Sequence, residues 1–311
     1  MIADGFIINP PKELLPNYRI SPFRTIDIIK NRELPDSNLC DSYFKGRFSS
    51  QNYIYTLSGR DAINRALSNY NLDKKDCVTI LTTSGNFYIS GCVTKEIEKY
   101  CKWSRKIEPD TKLIYVNHEF GYPYQELRKL KDYNVPIIED CAHTFFSKDK
   151  NNDLGEIGDF VIYSFSKIFQ IQVGGLLVSN ISESIKTTYR IDVALLRYIK
   201  NVLSYYLVTE QEIINNRIHN HNFLANKFKT LGFTPRFQLE HGTVPGVFLF
   251  KTNNQKLDLP ELQKYYWAHG VHCSVFYGEE AFYIPVNQVL NDQDMQYFFE
   301  VIKSFLNQAV S

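Results

Sequence analysis

Nowhere in the 311-residue sequence do about 18 apolar residues run together, so no membrane-spanning helix is expected. The N-terminal Met1-Ile2-Ala3-Asp4-Gly5-Phe6 also lacks the basic and then apolar regions of a secretory leader, and a cytoplasmic location is the expectation. Net charge is nearly absent: 35 basic and 34 acidic residues leave +1. So small a charge draws in neither nucleic acid nor an anionic membrane surface, and no basic run carries interleaved aromatics. The six cysteines, at positions 40, 77, 92, 101, 141 and 273, include no Cys-x-x-Cys pair. Their largely apolar settings, such as Asp76-Cys77-Val78-Thr79-Ile80, read as those of reduced structural thiols. His269, His272 and Cys273 lie close in sequence, but His269-Gly270 reads as a helix end and 271–275 as a strand. That arrangement assembles no ligand set, so no metal site is expected. Internal repeats and low-complexity tracts are missing too.

What is present is core-forming material. Hydrophobic residues make up 44% of the chain and charged ones 22%, with 21 tyrosines and 22 phenylalanines. These proportions are ordinary for a globular protein, and the length allows two domains. Residues 1–50 are proline-bearing with little periodicity, an irregular arm with one short helix near 23–29. After Ser58-Gly59, the apolar positions Ala62, Ile63, Ala66, Leu67 and Tyr70 form a helical stripe, with Ser58 as its N-cap. Strands are expected at 78–81, at 112–116, in the run ending at Asp140, at 160–164 and at 175–179, with a helix over 125–132. Strands alternating with helices over short connections predict an α/β fold: a three-layer, mainly parallel sheet covered on both faces. From about Ser182 the pattern turns to long helices, including 209–231. Strands at 246–250 and 271–277 then flank a helix over 260–269. A closing helix starts at Asp292, with Asn291 and Asp294 placed as a capping box in which Asp replaces Glu or Gln. The expected division is an arm with a large domain over 1–205 and a smaller α+β domain over 206–311.

The chemistry concentrates around Lys167. The apolar strand Phe160-Val161-Ile162-Tyr163 leads into Ser164-Phe165-Ser166-Lys167, and Gly174-Gly175 opens the next strand. A lysine held between two buried strands is costly to keep charged, and a neutral amine attacks carbonyls to form Schiff bases. Asp140 ends another apolar run, Val135-Pro136-Ile137-Ile138-Glu139-Asp140. A buried carboxylate there needs a donor; a pyridinium N–H would serve, as would a structural salt bridge or a helix end. An amine and an acid at neighbouring strand ends are the two groups a pyridoxal phosphate enzyme needs most. Ser58-Gly59-Arg60 combines helix N-terminal N–H groups, a hydroxyl and a guanidinium, either a phosphate cradle or ordinary capping. Tyr88 can lay a ring on a flat cofactor or pack in the core. His143 can touch the same ring or merely pack, and Ser164 is placed to donate to a phosphate.

Taken together these segments resemble the DegT/DnrJ/StrS family of sugar aminotransferases, which are fold type I pyridoxal phosphate enzymes. Tyr115-Val116-Asn117-His118-Glu119-Phe120-Gly121 is similar to the family's Val-His-x-x-Gly segment. Val135 to His143 is similar to its Ile-Glu-Asp-Ala-Ala-Gln/His signature, and Gly155-Glu156-Ile157-Gly158-Asp159 to its Gly-x-x-Gly-Asp. The spacing from Lys167 to Gly174-Gly175 is also the family's. His269-Gly270-Val271 and Ile284-Pro285-Val286-Asn287 are similar to later segments, so the resemblance covers roughly 55–311. It implies a fold type I architecture, pyridoxal 5'-phosphate as cofactor and a homodimer. Lys167 takes the internal aldimine position and Asp140 that of the pyridine nitrogen's partner. His143 matches the Gln/His that contacts the cofactor, Gly59 and Arg60 the phosphate-binding Gly-Thr, Tyr88 the stacking ring, and Ser164 a phosphate ligand.

The chain departs from the pattern in several places. Three positions separate Ser164 from Lys167 where the family has five, and Arg60 replaces threonine. The segment from Gly91 to Lys112 is too short for the usual strand before the Val-His motif. No Gly-Tyr-Asn-Tyr-like segment follows Gly175. The implied function is amination of a keto-sugar nucleotide with glutamate as donor, as in polysaccharide biosynthesis. Deoxysugar dehydration on the same cofactor is disfavoured, because the family's dehydratases carry histidine at the lysine position. The alternative from another class is a catalytically lapsed or regulatory scaffold that binds the cofactor or a sugar nucleotide.

Overall fold

A computed structural model describes residues 17–48, 52–181, 185–186, 190–253 and 257–308; the N-terminal hexapeptide lies outside them. The chain divides into two units. The larger comprises Phe23–Glu210 and His241–Thr243, the smaller Met1–Pro22, Gln211–Glu240 and Val244–Ser311.

The larger unit runs α1 (Ile26–Arg32), α2 (Leu39–Arg47), β1 (Asn52–Thr56), α3 (Gly59–Ser68), β2 (Cys77–Thr82), α4 (Gly91–Ile97), β3 (Lys102–Ser104), β4 (Thr111–Asn117), β5 (Ile137–Asp140), β6 (Phe160–Ser164), β7 (Gly175–Ser179) and α5 (Val193–Leu207). Its strands form one seven-stranded sheet in the order β1-β7-β6-β5-β4-β2-β3. β3, β2, β4, β5 and β6 are parallel neighbours, and β7 runs antiparallel to both β6 and β1. This is the expected mainly parallel α/β sheet. Strand periodicity builds its layers: Leu113 and Tyr115 of β4 pack with Ala62, Ile63, Ala66 and Leu67 of α3 and with Val93 and Ile97 of α4. The alternate residues Ile114 and Val116 pack with Leu127, Leu130 and Ile137. Each fully buried aliphatic side chain contributes about 1.5–3 kcal/mol relative to exposure.

Several local expectations need correction. The helix expected over 125–132 is a 3-10 segment, Leu127–Tyr133, ended by left-handed Asn134 at φ 54°. Pro136 biases Val135 to extended backbone, which leaves too little room for a stable α-helix. The arm holds α2 as well as α1. The segment 91–112, expected to be too short for its strand, contains both α4 and the three-residue β3.

The smaller unit contains α6 (Glu210–Lys229, all but its first residue), β8 (Thr234–Pro235), β9 (Val247–Lys251), α7 (Leu259–Ala268), β10 (Ser274–Val275), β11 (Ala281–Pro285) and α8 (Asp292–Gln308). Its antiparallel sheet has the order β10-β11-β9-β8. Phe228, Phe233, Phe248, Phe250, Phe282 and Phe298 fill its core. The strand expected over 271–277 shrinks to Ser274–Val275, because Val271 instead bridges Tyr18. The capping box forms as read: Asn291 Oδ1 accepts from Asp294 N at 3.2 Å, and Asp294 Oδ2 accepts from Asn291 N at 2.9 Å. Among the described residues no helix is long and apolar enough to cross a membrane.

Candidate active site

The carboxyl ends of β2, β4, β5 and β6 gather the residues singled out in the sequence. Parallel sheets place ligands there because helix N-termini and loops converge at that edge. Lys167 ends a 3-10 turn, Phe165–Lys167, that follows β6 directly. Two backbone bonds fix the turn: Phe165 N donates to Gly174 O at 3.1 Å, and Gly174 N to Leu57 O at 2.7 Å. Gly174 adopts φ +95°, and a Cβ on Gly175 would lie 2.6 Å from Tyr163 O, so glycine is required at both positions. The flanking Phe165, Ile168 and Phe169 are buried, whereas Lys167 itself is half-buried. The expectation of a lysine enclosed between buried strands is thereby corrected: the strands are buried, and the turn that carries Lys167 is only partly so.

Asp140 closes β5 and is buried. Its Oδ2 accepts from Tyr115 Oη at 2.7 Å and Asn117 Nδ2 at 2.9 Å, and its Oδ1 from Ala142 N at 3.0 Å. A carboxylate oxygen takes about two bonds, so Oδ1 keeps capacity for one further donor. Burial, and then the nearby Asp140, push the Tyr115 hydroxyl well above its usual range and keep it a donor. Tyr115 and Asn117 thus orient the acid, a role missed in the sequence, although β4 periodicity puts both on one face.

The first turn of α3 forms the next part. Ser58 caps it, its Oγ accepting from Asp61 N at 3.2 Å; the N–H groups of Gly59 and Arg60 precede any intrahelical acceptor. A Cβ on Gly59 would lie 2.8 Å from Ser164 Cβ and 3.1 Å from its Oγ. Only glycine lets the helix end approach the serine so closely. The carboxylate of Asp61 is held by Leu57 N at 2.8 Å and by Arg65 Nε at 3.0 Å. Arg60 reaches along the surface instead, its Nη2 donating to Cys92 Sγ at 2.8 Å with Glu96 Oε1 at 4.0 Å from its Nε.

Tyr88 lies in the loop after β2. Its ring sits 6.3 Å from Phe120, which in turn meets His143 edge-on at 5.8 Å. Phe120 holds φ 53°, a strained conformation for a bulky residue and a mark of functional regions. Two anchors shape the loop. Glu119 Oε2 accepts from Ser84 N at 2.6 Å, and the Arg105 guanidinium donates to Ile80 O, Thr82 Oγ1 and Asn86 O. Because β3 pairs only with Cys77, Val78 and Thr79, Arg105 supplies the donor that a longer β3 would have offered Ile80. No sequence pattern had marked it.

Glu139, beside Asp140, is a structural hub. Its two oxygens accept from Gly155 N (2.8 Å), Ile157 N (2.9 Å), Gly158 N (2.6 Å) and His118 Nε2 (3.2 Å). The Gly-x-x-Gly segment is therefore a nest for a carboxylate. His118, Glu139 and Cys141 place potential metal-ligand atoms within 4.8 Å of one another. However, His118 Nδ1 accepts from Tyr124 N at 2.9 Å, which leaves the proton on Nε2 facing Glu139. Both ring nitrogens and all four carboxylate sites are engaged, so the donor chemistry is that of a packed network. A separate hollow lined by Lys102, Trp103, Glu108 and Asp110 lies at the amino ends of β2 and β3, the opposite end from these residues.

The arrangement therefore offers an amine, a buried acid with one open acceptor position, and a helix N-terminus beside a serine. Residues 99–197 match the model of the DegT/DnrJ/EryC1/StrS aminotransferase family. GDP-perosamine synthase of Escherichia coli O157:H7 is 37% identical over 81 residues, 24% of this chain and only 22% of that protein. The aminotransferase TlmJ from Streptoalloteichus hindustanus superposes with a TM-score of 0.73 at 15% identity, over 92% of this chain and 95% of its own. The pyridoxal phosphate form of a putative sugar aminotransferase from Streptococcus pneumoniae gives 0.72 at 13% identity, over 97% and 100%. At such identities the structures establish the fold, while the sequence match spans Asp140, His143, Ser164 and Lys167. The similarity to the DegT/DnrJ/EryC1/StrS aminotransferase family is thus confined in sequence to residues 99–197, and the fold as a whole is shared with these aminotransferase structures.

Proposed function

We propose that this chain is a pyridoxal phosphate-dependent aminotransferase that aminates a keto-sugar nucleotide, with glutamate as amino donor. The observation that carries the reading is the cradle at the strand ends: Gly59 lacks the Cβ that would collide with Ser164, and Asp140 keeps an acceptor position open. An aromatic nitrogen base bearing a phosphate fits both. The N–H groups of α3, Ser164 and Arg60 bind the phosphate; Arg60 leaves Cys92 to do so. Asp140, oriented by Tyr115 and Asn117, keeps the proton on the ring nitrogen. Tyr88 and His143 confine the ring. Lys167 is the amine that would hold the cofactor and, once freed, would serve as the base and acid that moves a proton at the substrate carbon. Pyridoxal phosphate, once bound, supplies an electron sink for the carbanion left by proton removal. The keto-sugar nucleotide is supported by the family and by the match to a GDP-perosamine synthase. Assembly as a homodimer completes the reading, and sedimentation of the purified protein checks it.

The test is a spectrum. Wild type given excess pyridoxal phosphate is expected to gain a visible band that borohydride removes and that Lys167→Ala lacks. Glutamate should convert that band to the pyridoxamine form. No band in wild type overturns the enzyme reading and leaves a scaffold; a band indifferent to glutamate overturns that donor.

A further inference from the structure

Cys92 stands apart from the other cysteines. It is exposed, whereas Cys40, Cys77, Cys101, Cys141 and Cys273 are all buried. As the second residue of α4 it receives a hydrogen bond from Arg60 Nη2 at 2.8 Å, and its backbone N–H is fixed by Ser90 Oγ at 3.2 Å. Partial burial pushes its pKa up, but hydrogen bonds from Arg60 and Ser90 and the charges of Arg60 and Lys167 outweigh that and hold the thiol below its ordinary range. The other ionisable groups nearby are Glu96, 4.0 Å from Arg60 Nε and itself paired with Lys99 at 2.5 Å, and the Tyr115 hydroxyl, which stays protonated. Two cations from two other segments, the start of α3 and the turn after β6, therefore act on one accessible sulfur. Both also belong to the proposed cofactor cradle.

We propose that Cys92 is a thiol-modification site for small anionic disulfides, and that the mixed disulfide formed there occupies Arg60 and closes the phosphate end of the cradle. In the exchange, the Cys92 sulfur attacks one sulfur of the reagent. The reagent's S–S bond breaks, a new S–S bond forms, and the second sulfur leaves as a thiolate. Cys92 is oxidised and the leaving sulfur reduced; no further oxidant is needed. Arg60 and Lys167 favour an anionic reagent over a cationic one by steering and by binding its carboxylates. Arg60 also has two alternative partners, the Cys92 sulfur and a phosphate, so occupation by one disfavours the other.

The gating half rests on the proposed function; the thiol assignment does not, and the experiment separates them. The full chain is incubated with oxidised glutathione and its adducts are located by peptide mass mapping, while iodoacetamide labelling of Cys92 is followed against pH. A single adduct at Cys92 is expected. Labelling near neutral pH should slow roughly fivefold or more in Arg60→Gln, because the thiolate fraction falls, and should slow in wild type on adding inorganic phosphate. The adduct should abolish the visible band with pyridoxal phosphate until dithiothreitol restores it, and Cys92→Ser should gain the band with or without oxidised glutathione. Absence of the adduct, or a pH profile unchanged in Arg60→Gln, overturns the thiol assignment. An adduct that leaves cofactor uptake intact overturns the gate. If untreated wild type shows no band, the cofactor reading fails, and the mapping with its Arg60 dependence still decides the thiol assignment.

Discussion

The wall of the site formed by β5, β6 and the turns after them is buried and tied through backbone groups, whereas the wall over 82–105 is half open and tied through side chains. On the first wall, Glu139 collects three backbone N–H groups, and Gly174 accepts from Phe165 N across the hairpin and donates to Leu57 O. On the second, Arg105 gathers the loop from Ile80 to Asn86, and Arg60 reaches Cys92. Backbone ties demand particular residues, glycine above all, because any Cβ intrudes; side-chain ties can be replaced by other side chains. The residues 99–197 that match the family model contain the whole first wall and only the last part of the second. The two walls should therefore respond very differently to substitution.

The largest effect on stability is expected from Glu139→Gln. The amide keeps the shape, but its NH₂ must face either Gly155 N–H together with the Nε2 proton of His118, or the N–H groups of Ile157 and Gly158, so donors oppose donors in a solvent-free site. A cost of about 2–4 kcal/mol follows from leaving buried groups unsatisfied. Urea unfolding of the variant checks this, and a loss below about 1 kcal/mol would show that the nest does not hold the wall.

How much of this was legible in the sequence follows the same division. Lys167, Asp140 and the Gly-Gly hairpin could be read because each sits at the end of an apolar strand whose period is visible locally. Ser58 as cap and the α3 stripe were legible for the same reason, and the structure places both as read. Arg105 was not, since its partners lie 19 to 25 positions away and no periodicity connects them. Nor was the Arg60–Cys92 contact, which spans 32 positions between two helix starts. Tyr115 falls in the strand expected over 112–116 and Asn117 just beyond it; their bonds to Asp140 depend on the β4–β5 register, in which Asn117 pairs with Asp140. The 3-10 segment at Leu127–Tyr133 was misread as α-helix because inward leucines three apart satisfy both.

A sharper comparison of the two walls uses their glycines. At Gly59 a methyl group would enter Ser164, while at Gly91, the first residue of α4, nothing lies within 4 Å of an added Cβ. Gly59→Ala is expected to cost about 1–3 kcal/mol through overpacking. It should also weaken pyridoxal phosphate uptake, since α3 must move off the serine. Gly91→Ala should instead be neutral or stabilise by about 0.4–1 kcal/mol, through the unfolded chain's lost freedom. Thermal unfolding of the pair decides it: equal losses in the two variants would mean that the close approach at Gly59 is not what holds that wall.

Arg105→Lys is expected to have the smallest effect, and it tests the second wall directly. The guanidinium presents a fork to Ile80 O, Thr82 Oγ1 and Asn86 O, and its desolvation lowers its proton affinity while the charge of Glu119 partly restores it. An ammonium reaches one or two of these acceptors and leaves the rest to water, which a half-buried site admits. The loss of overall stability should be about 1 kcal/mol. The local consequence should be larger: amide exchange across 82–92 should accelerate while 137–164 stays protected, because the first wall does not depend on this side chain. A fall in stability as large as that of Glu139→Gln, or unchanged exchange in the loop, would mean that Arg105 ties more or less than β2 to its loop, and that the second wall owes its shape to Glu119 instead.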